Sequence, residues 1–190
     1  MLNRTATGLA KRLMLHGVIG NDVLDIYVYG FELLLSFLFS TTTIVIAGCV
    51  MNKIMETIAF LTVFILLRSF TGGYHADTYA KCSITTFLLY GLVMLFSVYI
   101  QVGFIFYVAL MMIGMIVLFI KAPVENPNKE LSEQEKRKHR NTSLVLFSFF
   151  GLAGICLNVF TSVIGATVWV TLVLDLGLMF VKTNYERRKS

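Results

Sequence analysis

Long apolar runs separated by short polar breaks dominate the chain, and six approach the length needed to cross a bilayer: residues 31–51, 54–67, 84–100, 103–120, 143–160 and 163–181. A spanning helix takes roughly 20 apolar residues, rising about 1.5 Å each through a hydrocarbon core of about 30 Å. The run 54–67 is short at 14 residues, so it must extend into its flanks, sit in thinned bilayer or stop short of a full crossing. The pattern predicts an all-α, polytopic membrane protein with about six transmembrane helices in a single domain, 1–190.

Ahead of the first run, residues 2–19 follow a different rhythm. Leu2, Ala6, Leu9 and Leu13 recur at spacings of four, three and four, with Arg4 and Lys11 on the opposite face, which predicts an amphipathic helix lying in the interface. Leu15 departs from the stripe. Arg4, Lys11 and Arg12 interrupt any apolar core, so the segment does not read as a cleavable signal peptide. His16 reads as a packing or interfacial residue, since no second His, Cys or carboxylate stands at metal-ligand spacing. Asp22 and Asp25 precede Tyr27 and Tyr29, which suit the headgroup zone at the mouth of the first span.

Composition agrees with membrane residence: 57% of residues are hydrophobic, 14% are charged and the mean hydropathy is +0.78. The charges then set orientation. With six spans and a cytoplasmic N-terminus, 15 of the 16 Lys and Arg residues lie inside and only Lys53 lies outside. Miscounting one span before residue 121 would move the basic cluster at 121–142 to the other side. The expectation is a multi-pass membrane protein with both termini and the loops 68–83 and 121–142 in the cytoplasm. The net charge of +5 needs no nucleic-acid partner, because the basic residues flank spans, where anionic lipid of the inner leaflet attracts them.

The loop 121–142 holds both prolines, Pro123 and Pro127, which end the fourth span. Ser132-Glu133-Gln134-Glu135 can cap a short helix carrying Lys136, Arg137, Lys138, His139 and Arg140, read first as a solvated, positive-inside anchor and second as a peptide-binding patch. No internal repeat, low-complexity tract or second domain is visible.

The other polar island, Arg68 to Cys82, carries the candidate chemistry. A cysteine attacks carbonyls as the thiolate, which a nearby imidazole can generate by taking its proton, so His75 and Cys82 on one loop could suffice for acyl transfer; the plain alternative is an ordinary loop between two helices. On one straight helix the two would lie about 10.5 Å apart along the axis, too far for proton transfer. The helix is therefore expected to start after His75, with Gly72-Gly73 giving a turn and Asp77 or Thr78 capping a helix whose first turn holds Cys82. Cys49 and Cys156 lie in apolar runs, where a thiol behaves as a small hydrophobe. Two acids fall within spans. Glu32, near a membrane boundary, reads as structural; Asp175 fits equally a buried hydrogen bond or ion pair and a role near the site.

The pattern Arg68, Gly72-Gly73, His75-Ala76 and Cys82, between the second and third spans, resembles the accessory gene regulator B (AgrB) family. The length, the basic N-terminal helix, the Ala122-Pro123 start of the second loop and the two final spans fit as well. This resemblance implies a membrane cysteine endopeptidase that trims the C-terminal tail of an AgrD-type quorum-sensing precursor peptide and helps close its macrocycle. By the same resemblance Cys82 is the nucleophile and His75 the base, with Arg68, Gly72, Gly73 and Asp77 supporting the site. It calls for no metal or cofactor; its partners are the precursor peptide and the bilayer, and a homodimer is compatible with it. The competing class is a non-enzymatic peptide exporter or transporter, whose expected broken helices in matching halves are not seen.

Overall fold

The computed structural model describes residues 2–72, 79–99, 104–124, 132–160 and 162–180. These residues form helices α1 (Leu2–Leu15), α2 (Leu24–Val50), α3 (Ile54–Thr71), α4 (Tyr79–Tyr99), α5 (Phe104–Lys121), α6 (Glu133–Phe160) and α7 (Ser162–Leu178), with a single 3-10 turn at Asn21–Val23. No strand is found among them. The expected all-α class holds. Helices α2 to α6 are long and apolar enough to cross a membrane, and α7 is a shorter apolar helix, so the chain fits a multi-pass membrane protein.

The helices end where local backbone chemistry stops them, and these points differ from the edges of the apolar runs. The interfacial helix, expected over 2–19, ends at Leu15 because Gly17 turns left-handed (φ 69°). The Val18 N–H then donates to the Leu13 carbonyl and the Gly17 N–H to that of Met14, closing the helix with a Schellman motif. Its buried face centres on Ala6 and Ala10 and packs against α2, while Leu9 is largely exposed. Asn3 Nδ2 donates to Glu32 Oε1 at 2.6 Å, tying α1 to α2, and this gives Glu32 the structural place expected of it.

The first span begins at Leu24, well before residue 31, since the stretch containing Asp25, Tyr27 and Tyr29 is already helical. It closes with a second Schellman pattern around left-handed Asn52: Lys53 N–H to Gly48 O at 2.8 Å and Asn52 N–H to Cys49 O at 3.1 Å. The short second run gains a further turn through Arg68–Thr71, so α3 has 18 residues, about 27 Å of helix. Nine residues assigned to the loop 68–83 are thus helical, 68–71 in α3 and 79–83 in α4. The basic segment and the fifth span fuse into one 28-residue helix, α6. Its start is the capping box read from the sequence: the Ser132 N–H donates to Glu135 Oε2 at 2.9 Å and the Glu135 N–H to Ser132 Oγ at 3.3 Å.

Helix α7 is the axis of the bundle and packs against α3, α4, α5 and α6. Trp169, Leu172 and Leu176 of α7 meet Leu67 of α3, Leu118 of α5 and Phe147 of α6 in the larger core cluster. Small residues permit this closeness. A Cβ at Gly114 would strike the Phe147 ring, and one at Gly154 would press on Trp169. A second cluster joins Ile44, Phe60, Tyr90 and Val170. Beside it Thr57 Oγ1 donates to Lys53 O at 2.7 Å, which leaves the buried Tyr90 hydroxyl to donate to Thr57 Oγ1 at 2.8 Å. Large side chains such as Val50 and Ile105 point outward, as lipid-facing helices require.

The two polar loops leave the same end of the bundle. Gly72 caps α3 with φ 69° and ψ −141° and pairs with Val124, whose N–H donates to the Thr71 carbonyl at 2.9 Å. Phe70 meets His139 at 5.6 Å between ring centroids. Asn52 lies at the opposite end, in the turn between α2 and α3. In a cysteine-free background, Ser69→Cys and Ser132→Cys will therefore label from one side of the membrane with an impermeant maleimide, and Asn52→Cys from the other. Labelling of Ser69→Cys and Ser132→Cys from opposite sides would break this helix order.

Gly72 also yields a stability prediction. A side chain there adopts a backbone conformation costing on the order of 1–3 kcal/mol, and its Cβ would run into the Val124 carbonyl oxygen. Gly72→Ala will lower the unfolding temperature in detergent, whereas Gly91→Ala, in the open interior of α4, will hold or raise it.

Candidate active site

Cys82 lies in the first described turn of α4 and borders a cavity of about 320 Å³ between α2, α3 and α4. Most of the wall is apolar, including Ile44, Phe64 and Leu89. Its polar lining, besides Cys82, is Ser36, Ser40 and Thr41 from α2, Arg68 and Ser69 from α3, and Thr85 and Thr86 from α4. Such a wall suits an extended, mostly apolar ligand held by a few donors and acceptors. Ser40 Oγ donates to Ser83 Oγ at 2.7 Å and pins α2 to α4 beside the cysteine.

Arg68 reaches this wall because it sits in the last turn of α3, three residues before Thr71, and residues so spaced share a face. That face meets α7. Arg68 Nη1 lies 3.8 Å from Asp175 Oδ1, and Thr71 Oγ1 donates to Asp175 Oδ2 at 3.3 Å. The two ends of the pair differ in exposure: the Arg68 side chain retains 21% and that of Asp175 none. An acid at membrane depth is expensive unless paired, so the Asp175 carboxylate and Arg68 cation are each other's electrostatic reason to be there. Both of the roles left open for Asp175 are compatible with this placement.

The other cysteines have different surroundings. Cys49 belongs to the far end of α2 and Cys156 to α6, each exposed on the outer surface of the bundle and neither on the Cys82 cavity. Of the site residues expected from sequence, the structure brings Arg68 and Cys82 to one cavity and places Gly72 at the adjoining helix end. Gly73, His75 and Asp77 lie outside the described residues, and with them the expected turn and cap between α3 and α4. Ser40, Ser83 and Thr71 were not singled out in the sequence. Serine and threonine inside apolar runs are the available signal, but their number hides the few that matter.

A second cleft, about 460 Å³, opens at the same end between the exit of α5 and the start of α6, with Lys121, Lys136, Arg137 and Arg140 around it. Arg140 stacks over Phe119 at 5.1 Å and Lys121 over Phe180 at 5.0 Å, while Lys136 is held by Glu133 at 2.9 Å.

The sequence profile of Accessory gene regulator B matches residues 3–176. AgrB-like proteins of Clostridium perfringens strains SM101 and 13 are each 24% identical, with 86% of this chain and 86% of theirs covered. The accessory gene regulator protein B of Staphylococcus saprophyticus is 23% identical, with 82% and 83% covered. No solved structure matches. With a membrane bundle of the expected order, the motif cysteine on a cavity and a profile match across nearly the whole length, the chain belongs to the accessory gene regulator B family.

Proposed function

We propose that this protein is a membrane cysteine endopeptidase that removes the C-terminal tail of an AgrD-type precursor peptide and promotes closure of the remaining segment into a ring. One observation carries the reading. Cys82 borders a mostly apolar cavity that Arg68 and several hydroxyl side chains also line, and neither Cys49 nor Cys156 lines a cavity described here. A catalytic thiol needs access for a backbone carbonyl and a local means of holding charge; Cys49 and Cys156 have neither in view.

In this mechanism His75 accepts the Cys82 thiol proton and the thiolate adds to the carbonyl of the scissile amide. The tetrahedral intermediate collapses by breaking the C–N bond, and the leaving nitrogen takes the proton from the His75 imidazolium. The acyl chain remains on Cys82 as a thioester. A thiol or hydroxyl inside the peptide then attacks that thioester, loses its proton to His75 and returns Cys82 to the free thiol. The apolar cavity favours this intramolecular attack because it holds the chain in place and limits the water that would hydrolyse the thioester.

The site end is assigned to the cytoplasm on the distribution of basic residues. The clefts at that end support one binding mode: the amphipathic part of the precursor lies along the apolar cavity, and an acidic tail faces Lys121, Arg137 and Arg140.

Cleavage in membranes carrying the full-length protein and an AgrD-type precursor tests this. Cys82→Ala will abolish cleavage while inserting normally, and His75→Ala will come close to it, because without its base the thiol is mostly protonated at neutral pH. Cys49→Ala and Cys156→Ala will retain cleavage. Full processing by Cys82→Ala would exclude the protease and favour an exporter.

A further inference from the structure

Asp175 belongs to neither the motif nor the cavity wall, yet it is the most deeply buried acid described, 1% exposed, and it bonds to residues more than a hundred positions earlier. Leu67 and Leu176 already pack α3 onto α7, so the two helices do not need a charge pair to associate. Replacing a buried ion pair by apolar residues of similar volume is often neutral or stabilising. The pair is also asymmetric: Asp175 is closed off on every side, while Arg68 borders the Cys82 cavity.

We propose that Asp175 is a positioning residue for the Cys82 reaction, its carboxylate fixing the Arg68 guanidinium where that group meets the carbonyl oxygen under attack. The inference rests on the reading of Cys82 as nucleophile. When the thiolate adds to the carbonyl, the S–C bond forms and the negative charge moves from sulfur to oxygen; when the C–N bond breaks, the carbonyl re-forms and the charge leaves that oxygen. A cation at the oxygen therefore acts most strongly in the transition state. A guanidinium carries five N–H donors in a planar fork, enough to engage a carboxylate and meet a second acceptor. An arginine side chain without an anchor has several rotamers at the cavity mouth. Asp175 narrows that choice by drawing Arg68 Nη1 to within 3.8 Å of its Oδ1, while Thr71 Oγ1, from the same turn of α3, donates to its Oδ2.

The test is steady-state cleavage of a synthetic AgrD-type peptide, amphipathic at its start with a central cysteine and an acidic tail, by the full-length protein in nanodiscs. Asp175→Asn will lower kcat about tenfold, with KM within about twofold, because the lost interaction acts in the transition state. Asp175→Glu will recover most of kcat. Arg68→Lys keeps the charge and the ion pair but removes the fork, and it will lower kcat at native thermal stability. The charge-swapped double variant, Arg68→Asp with Asp175→Arg, will recover thermal stability but not cleavage, because it leaves a carboxylate at the cavity.

Recovery of cleavage by the swapped variant would show a purely structural pair and overturn the proposal. So would a native kcat for Asp175→Asn or, should that variant fail to insert, for Arg68→Lys. Cleavage by Cys82→Ala would overturn the underlying reading instead, whatever the Asp175 variants do.

Discussion

The contact between Arg68 and Asp175 joins the helix that ends at the motif to the helix at the centre of the bundle. It is an opposite-charge contact between spans far apart in sequence, in a chain whose helices otherwise associate through apolar side chains, small residues and side-chain hydrogen bonds such as Ser40 to Ser83. Such a contact sets register. Sliding α3 along α7 by one turn would leave a carboxylate and a guanidinium each facing hydrocarbon, a penalty far larger than that of repacking leucines. The last turn of α3, and with it Gly72 and the start of the motif, is therefore held at a fixed depth.

From that fixed depth the rest of the site end follows. Gly72 leaves α3 in a conformation open to glycine, and its pairing with Val124 brings the exit of α5 against the exit of α3. Phe70 against His139 adds the start of α6. The elements meeting here come from the ends of three helices, α3, α5 and α6, at the end of the bundle that holds the cavity and the basic cleft. The far end is built differently: the Asn52 turn and the buried contact of Thr57 with Tyr90 close it tightly around small residues such as Gly48.

Much of this was legible in the sequence. Hydropathy identified all six apolar helices because lipid leaves backbone groups no partner except their own helix, so an apolar run of that length has little other choice. Edges were less legible, since helices continue past the last apolar residue. Arg68–Thr71 and 133–142 are helical because capping and tertiary partners, not hydropathy, decide where the hydrogen-bond ladder stops. Ser132 with Glu135 is the exception, a local signal that predicted its own geometry. The link between Arg68 and Asp175 could not be read at all, because nothing local records which turn of α7 faces which turn of α3. The sequence left Asp175 open between a buried hydrogen bond or ion pair and a role near the site, without naming its partner.

The three cysteines show why residue identity says so little about reactivity in a bundle of this kind. All are in helices, all are exposed on some surface, and none is bridged. What distinguishes Cys82 is that its exposed surface borders a cavity also lined by Arg68, whose guanidinium lies 3.8 Å from Asp175 of α7. A thiol facing lipid meets no substrate carbonyl and no charge. On the proposed reading of Cys82 as the nucleophile, a mostly apolar wall beside it favours acyl transfer to an internal nucleophile, since the competing acceptor is water and such a wall offers it few partners.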